Sequence, residues 1–252
     1  MTTRSNKSLQ ATRDGRSSSA IADYVIRPAC LSSGRSTKKS IMKPFRPSAW
    51  MLAGVCFMIH LAGYADPVVW QATRAEAVEA ARNSGKLILL LAGRETCGNC
   101  QYMKYTVCET PGVRQVIDAN YVCWFCPVDS STEWYPYADG LGSFTLPLMC
   151  VIDPGDSTKY LDRSTGTQSV SVFKDRLSSH LPTNPITVTL LRATSSRLRW
   201  ATESQLQYRV LKSEDLIHWS FVGAVVLGDG SPIEFEDSST AKQCFYRVMG
   251  FR

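Results

Sequence analysis

Between residues 71 and 86, alanine and valine recur at helical spacing and the run closes in Asn-Ser-Gly, which predicts a helix with a glycine stop. The following stretch, KLILLLAG (86–93), is almost continuously apolar and bounded by Gly93, the pattern of a strand buried on both faces. A second helix is predicted from about Thr96. It breaks at Thr110-Pro111-Gly112, and a short helix follows in VRQVIDAN. YVCWFCPVD (121–129), rich in aromatic and β-branched residues, predicts a strand, as does LPLMCVID (146–153). STKYLDRST is expected to pair beside it, and VSVFKDRLSSHL (170–181) reads as an amphipathic closing helix. Helices alternating with buried strands predict an α/β fold with a central mixed sheet.

The pattern changes after LPTNP (181–185). ITVTLLRAT, RLRWAT, LQYRVLKS, SFVGAVVLG, IEFED and CFYRVMGF are short alternating runs separated by turn residues, with no stretch of helical period. The expected organisation is an α/β domain over 66–182, a linker at 183–185 and a small all-β sandwich-like module over 186–252.

Composition adds that a packed core is within reach, since 44% of the residues are hydrophobic and 20% charged. The formal charge of +6 would point to an acidic partner if it were spread over the fold. Residues 1–65 instead hold 10 of the 28 Lys and Arg but 2 of the 22 Asp and Glu, leaving 18 against 20 in the remainder. The excess sits in a Ser/Arg-rich leader, so no nucleic-acid partner is expected. Within that leader, 42–65 has the layout of a secretory signal: Lys43 and Arg46, an apolar stretch over 49–63, then small residues up to Ala65. The apolar stretch falls short of the roughly 20 residues that span a bilayer, so export is expected rather than a stable membrane span. Residues 1–41 read as a basic disordered leader, or as an over-called start ahead of Met42.

Seven of the nine cysteines lie beyond the leader: Cys97, Cys100, Cys108, Cys123, Cys126, Cys150 and Cys244. In GRETCGNCQYM (93–103), a helix beginning near Thr96 puts Cys97 in its first turn, where unpaired N–H groups and the helix dipole favour a thiolate. Cys100, three residues on, shares that face and is placed to close or resolve a disulfide. A zinc site built from Cys97, Cys100, Cys123 and Cys126 competes with this reading. As a strand, 121–129 would turn Cys123 and Cys126 to opposite faces about 10 Å apart, which forbids a shared ion and leaves no metal expected. Cys108 would stand about 16 Å along a continuous helix from Cys97, too far for a disulfide. Cys108 and Cys150 read as buried core thiols, with a further disulfide among Cys108, Cys123, Cys126 and Cys150 as the other possibility; Cys244 is the candidate left unpaired. His180 and His218 have no acidic partner at ligand spacing and read as solvated.

LILLLAGRETCGNCQYM resembles the strand, Cys-x-x-Cys and helix of the thioredoxin superfamily, and FTLPLMCVID resembles its cis-proline loop and following strand, over about residues 67–182. The resemblance implies that Cys97 is the nucleophile, Cys100 the resolving thiol and Pro147 a cis-proline that leaves the Leu146 backbone free to pair with substrate. The redox-active Cys97–Cys100 disulfide would be the only redox group, with no other cofactor. Thr96 stands where classical members have tryptophan, and Leu91 where they bury an acid, so the chain resembles the divergent exported members most. STEWYPYADG, with Trp134, is placed to line a substrate groove beside Pro147, although structural packing of its rings explains it equally well. YRVLKSEDLIHWSFVG and FEDSSTAKQCFYRVMGF resemble a fibronectin type III-like module of exported bacterial proteins, with Tyr208, Val210, Trp219, Phe221, Phe245, Tyr246 and Val248 as core or sheet residues and Asp215 as a turn former.

The expected function is therefore an exported thiol-disulfide oxidoreductase, periplasmic, secreted or at the cell surface. Its partners would be protein thiols and disulfides and a redox partner protein, with the β module binding a protein or cell-surface component. The alternative is a non-catalytic binding protein in which Cys97–Cys100 is a structural staple.

Overall fold

The computed structural model describes residues 22–24, 66–192, 196–239 and 243–252. The signal-peptide expectation for 42–65 lies outside them. The leader contributes one described segment, the strand β1 (Ala22–Tyr24).

The α/β region runs β2 (Trp70–Gln71), α1 (Arg74–Ser84), β3 (Leu87–Gly93), α2 (Gly98–Tyr102), a π-turn (Met103–Val107), α3 (Pro111–Asn120), β4 (Tyr121–Pro127), α4 (Tyr135–Ala138), β5 (Leu148–Ile152), β6 (Asp162–Thr165) and α5 (Val170–Ser179). The five strands form one mixed sheet in the order β2-β4-β3-β5-β6. β2, β4 and β3 are parallel, whereas β5 and β6 join antiparallel. The apolar run of β3 earns its central place, since every residue from Leu87 to Gly93 is buried. Alternate side chains serve the two faces: Leu87, Leu89 and Leu91 join one core with α2, α3 and α5, and Ile88, Leu90 and Ala92 join a second with α1.

The helix ends follow local chemistry. Thr73 and Glu76 form a capping box at the start of α1. Gly85 closes the helix at φ 68°, a left-handed conformation that glycine adopts without a Cβ penalty. β2, α4 and the π-turn were not anticipated from the sequence. The strand is only two residues long, and the π-turn is closed by a wide bond from the Cys108 N–H to the Met103 carbonyl at 3.0 Å.

Beyond α5 the fold is all β: β7 (Val188–Arg192), β8 (Arg197–Trp200), β9 (Gln207–Ser213), β10 (Ser220–Leu227), β11 (Ile233–Glu236) and β12 (Phe245–Phe251). All six alternating runs are strands. They form two antiparallel sheets, ordered β1-β12-β9-β10 and β11-β8-β7, which share an apolar cluster that includes Leu198, Trp200, Tyr208, Val210, Tyr246 and Val248. The 183–185 segment is held to this region, because the Thr183 and Asn184 N–H groups donate to the Glu203 carboxylate.

The two regions are packed together. Leu211, Trp219, Phe245, Met249 and Phe251 enter the same core as Leu87 and Leu89. Asp153, 5% exposed, accepts from Arg209 Nε at 2.8 Å and Nη2 at 2.6 Å. Arg247 lies over the Trp219 ring and donates to the Asn83 carbonyl at the end of α1. This contact lies at the end of β3 that carries Leu87, while Cys97 follows the opposite end.

His180 departs from expectation, and His218, solvated as expected, does have an acidic partner. His180 is held between Asp162, 3.4 Å from its Nε2, and the Arg252 carbonyl, with its side chain 12% exposed. His218 is exposed but pairs through Nδ1 with Asp215 at 2.7 Å. Sequence spacing missed the first pair because its partners are 18 and 72 residues away (180 less 162, and 252 less 180), and underrated the second, an i−3 contact inside a turn.

Candidate functional site

Four strand ends define the site. β3 ends at Gly93 and β4 at Pro127, and their antiparallel neighbour β5 begins at Leu148 opposite Ala92, with Thr165 of β6 opposite Leu148. The loops that carry Cys97, Asp129, Pro147 and Gly166 therefore emerge at one end of the sheet. The Leu146–Pro147 peptide bond is cis, as the family resemblance implied. The Gly166 N–H donates to the Thr145 and Pro147 carbonyls at 2.8 and 2.9 Å, which ties the β6 loop to the proline loop.

Cys97 is the N-cap of α2 rather than a residue of its first turn. Its backbone is extended (φ −86°, ψ 115°), and its sulfur accepts the Cys100 N–H at 3.4 Å. Its own N–H closes a turn on the Arg94 carbonyl at 3.2 Å. A capping sulfur takes the place that a serine or aspartate oxygen usually holds, and unpaired N–H groups there stabilise negative charge. Burial opposes the thiolate of Cys97, but hydrogen bonds from the Cys100 thiol and from the N–H groups of Cys100 and Asn99, with the Arg94 charge, bring it below the ordinary thiol value.

Cys100 is the opposite case. It is buried, and its thiol is pushed up to about 11 by desolvation and by bonding to the Cys97 sulfur. It lies so close to the end of β3 that a Cβ at Gly93 would come within 2.7 Å of its sulfur, so only glycine leaves the thiol its place. The site thus holds one partly exposed, acidified sulfur and one buried, protonated sulfur, both as free thiols.

Arg94, which the sequence analysis did not single out, brings positive charge to both thiols. Its Nε donates to the two oxygens of Asp129 at 2.7 and 3.0 Å. Its position three residues before Cys97 was the available signal.

Thr96 is exposed beside Cys97, while Leu146 is half-buried and Pro147 buried. Leu146 and Cys97 pack against the same core. Trp134 packs with the other core, edge-on to Tyr135 and to Phe144, two residues before Leu146. Tyr137 from the same aromatic stretch is fully buried.

The remaining thiols are distributed by face. Cys108 and Cys123 join the core of Cys100, and Cys126 and Cys150 the opposite one, so Cys123 and Cys126 do point to opposite sides of β4. All are free, and no group of side chains suited to hold a metal is found among the described residues. Burial pushes Cys108 and Cys150 up to about 12 and raises Cys123 and Cys126.

A family model described as thioredoxin-like matches residues 69–154, the segment from β2 to just past β5, so the α/β region is a thioredoxin-like domain. Solved structures to which the chain is similar include a thioredoxin from Thermus thermophilus, 22% identical with a TM-score of 0.37, covering 44% of this chain and 85% of that one. They also include a mutant thioredoxin from Halobacterium salinarum, 19% identical with a TM-score of 0.33, covering 49% and 100%. No curated protein matches the chain. The family match ends before the C-terminal β region begins.

Proposed function

We propose that this chain is an exported thiol-disulfide oxidoreductase acting on protein substrates through Cys97 and Cys100, with the β region as a sandwich module that positions the domain or binds a partner. The asymmetry of the two thiols carries the reading: the accessible sulfur caps a helix and is acidified, whereas its neighbour is buried and holds its proton. A nucleophile and a resolving group need those properties.

In the reducing direction, the Cys97 thiolate attacks one sulfur of a substrate disulfide. The S–S bond breaks, a mixed disulfide forms and one substrate thiolate leaves. Cys100 then gives up its proton to solvent and attacks the Cys97 sulfur. The second substrate thiolate departs and Cys97–Cys100 closes as a disulfide. Two electrons pass from the protein dithiol to the substrate, and a redox partner bearing a dithiol restores the pair. In the oxidising direction the same steps run backwards. Thr96, Leu146 and Pro147 would border the substrate, and Trp134 would support that rim through the Phe144 ring. Export rests on the apolar 49–63 stretch and its small-residue end.

The test is a thiol-trapping redox titration of the 66–252 protein, read by peptide mass at Cys97 and Cys100. A midpoint between about −120 and −270 mV is expected for an exchange catalyst, and one below about −300 mV would make the pair a structural staple and overturn the proposal.

A further inference from the structure

Four residues after Cys100, a lysine stands where the core should refuse one. Lys104 is 8% exposed and lies in the π-turn that continues α2. Its Nζ sits 3.9 Å from the centroid of the Phe125 ring, 5.0 Å from that of Tyr105 and 5.9 Å from that of Trp70. The rings come from β4, the π-turn itself and β2. Among the described residues, its carboxylate partner is Glu95, at 2.9 Å. Tyr105 donates its hydroxyl to the other oxygen of the same carboxylate at 3.4 Å. Burying an ammonium is costly unless it is paired and hydrogen-bonded, and stacked rings offset part of that cost. Burial pulls this ammonium down, while the bonds to Glu95 and Tyr105 carry it above its ordinary value, so the charge is retained.

Glu95 lies two residues before Cys97, in the turn closed by the Cys97 N–H on the Arg94 carbonyl. Its own carbonyl accepts from Gln101 Nε2 at 2.6 Å, so the turn is fastened to the helix at both the main chain and the side chain. Phe125, under the ammonium, pairs in register with Leu91 of β3, an apolar residue of the same core as Cys100. The charge buried on this side of the sheet thus comes from the helix.

We propose that Lys104 is a positioning residue for the nucleophile: boxed by Phe125, Tyr105 and Trp70, it pins Glu95 and thereby holds the 94–97 turn so that the Cys97 sulfur faces the N–H groups of α2. The proposal rests on the exchange reading of the site. Charged and titratable groups around the two ends of the device are Cys100 and Arg94 with Asp129 at the thiol, and Glu95 and Tyr105 at the ammonium.

The test is the pH profile of iodoacetamide modification of Cys97, followed by peptide mass in the full chain, for wild type, Lys104→Met, Lys104→Arg and Glu95→Gln. This readout needs no substrate disulfide, so it separates failure of this inference from failure of the exchange activity. With Lys104→Met, the half-reaction pH is expected to rise and modification at pH 7 to slow about threefold, the equivalent of about half a pKa unit. Glu95→Gln should shift it the same way, and Lys104→Arg should restore the wild-type profile. Glu95 is 57% exposed, so its variant keeps the fold and decides the matter even where Lys104→Met does not. Folded Glu95→Gln protein with an unchanged Cys97 profile would overturn the proposal and reduce Lys104 to a packing element.

Discussion

Two cysteine pairs of identical spacing lie on neighbouring elements of this molecule, Cys97 and Cys100 at the start of α2 and Cys123 and Cys126 on β4, and the elements give them opposite chemistry. At a helix N-terminus, a step of three brings the second residue's N–H to the first residue's side chain, so the sulfurs share a site and an array of donors. On a strand, a step of three is odd and sends the side chains to opposite faces. Cys123 goes to the core that holds Cys100, and Cys126 to the core that holds Trp124. Burial then raises both strand thiols, while N–H groups and Arg94 lower Cys97. The spacing is shared, and the secondary structure beneath it decides what it means.

The sharpest way to break the comparison is to remove one sulfur from each pair. Cys97→Ser is expected to cut exchange with a small disulfide substrate by on the order of a thousandfold or more, because loss of the nucleophile disables the whole unit. Cys123→Ser should leave the rate per folded molecule unchanged. A turnover assay with equal folded concentrations measures both, and equal losses would end the distinction.

A smaller effect separates the pairs by reactivity. A thiol held below its ordinary value ionises at lower pH than a free one, so modification of Cys97 should reach half its maximum at a lower pH than that of a cysteine in an unstructured peptide. Cys123 and Cys126, raised by burial, should resist the same reagent until denaturant is added. Peptide mass after timed labelling reports all three sites in one experiment.

The smallest effect lies within the strand pair. Cys123 is wholly enclosed, so Cys123→Ser buries a hydroxyl among apolar groups and should cost about 1–3 kcal/mol in urea unfolding. Cys126 lies beside the Ser131 hydroxyl and the backbone N–H of Trp134, where a serine oxygen finds partners, and Cys126→Ser should cost less. A larger loss at Cys126 than at Cys123 would show that those groups do not compensate.

Much of the fold was legible because its signals are local. The continuous apolar run of β3, the Asn-Ser-Gly stop of α1 and the alternating runs of the β region each became the element they predicted. The opposite facing of Cys123 and Cys126 followed from strand period alone. The Asp162–His180 and Asp153–Arg209 pairs were not legible, since each joins positions far apart in the chain. The aromatic stretch around Trp134 offered no sign of which ring would turn inward. Tyr137 is fully buried in the core, and Trp134 packs at its edge.

The longer helices and strands, the cysteine spacing and the proline before β5 belong to the sequence by itself, because hydrophobic period and turn chemistry act over a few residues. Only the tertiary structure decided that Cys97 caps its helix while Cys100 is sealed against Gly93, that Lys104 is boxed beneath the site, and that the β region shares a core with the far end of β3. Those outcomes depend on which surfaces lose water together, and desolvation is set by residues that meet only when the chain has packed.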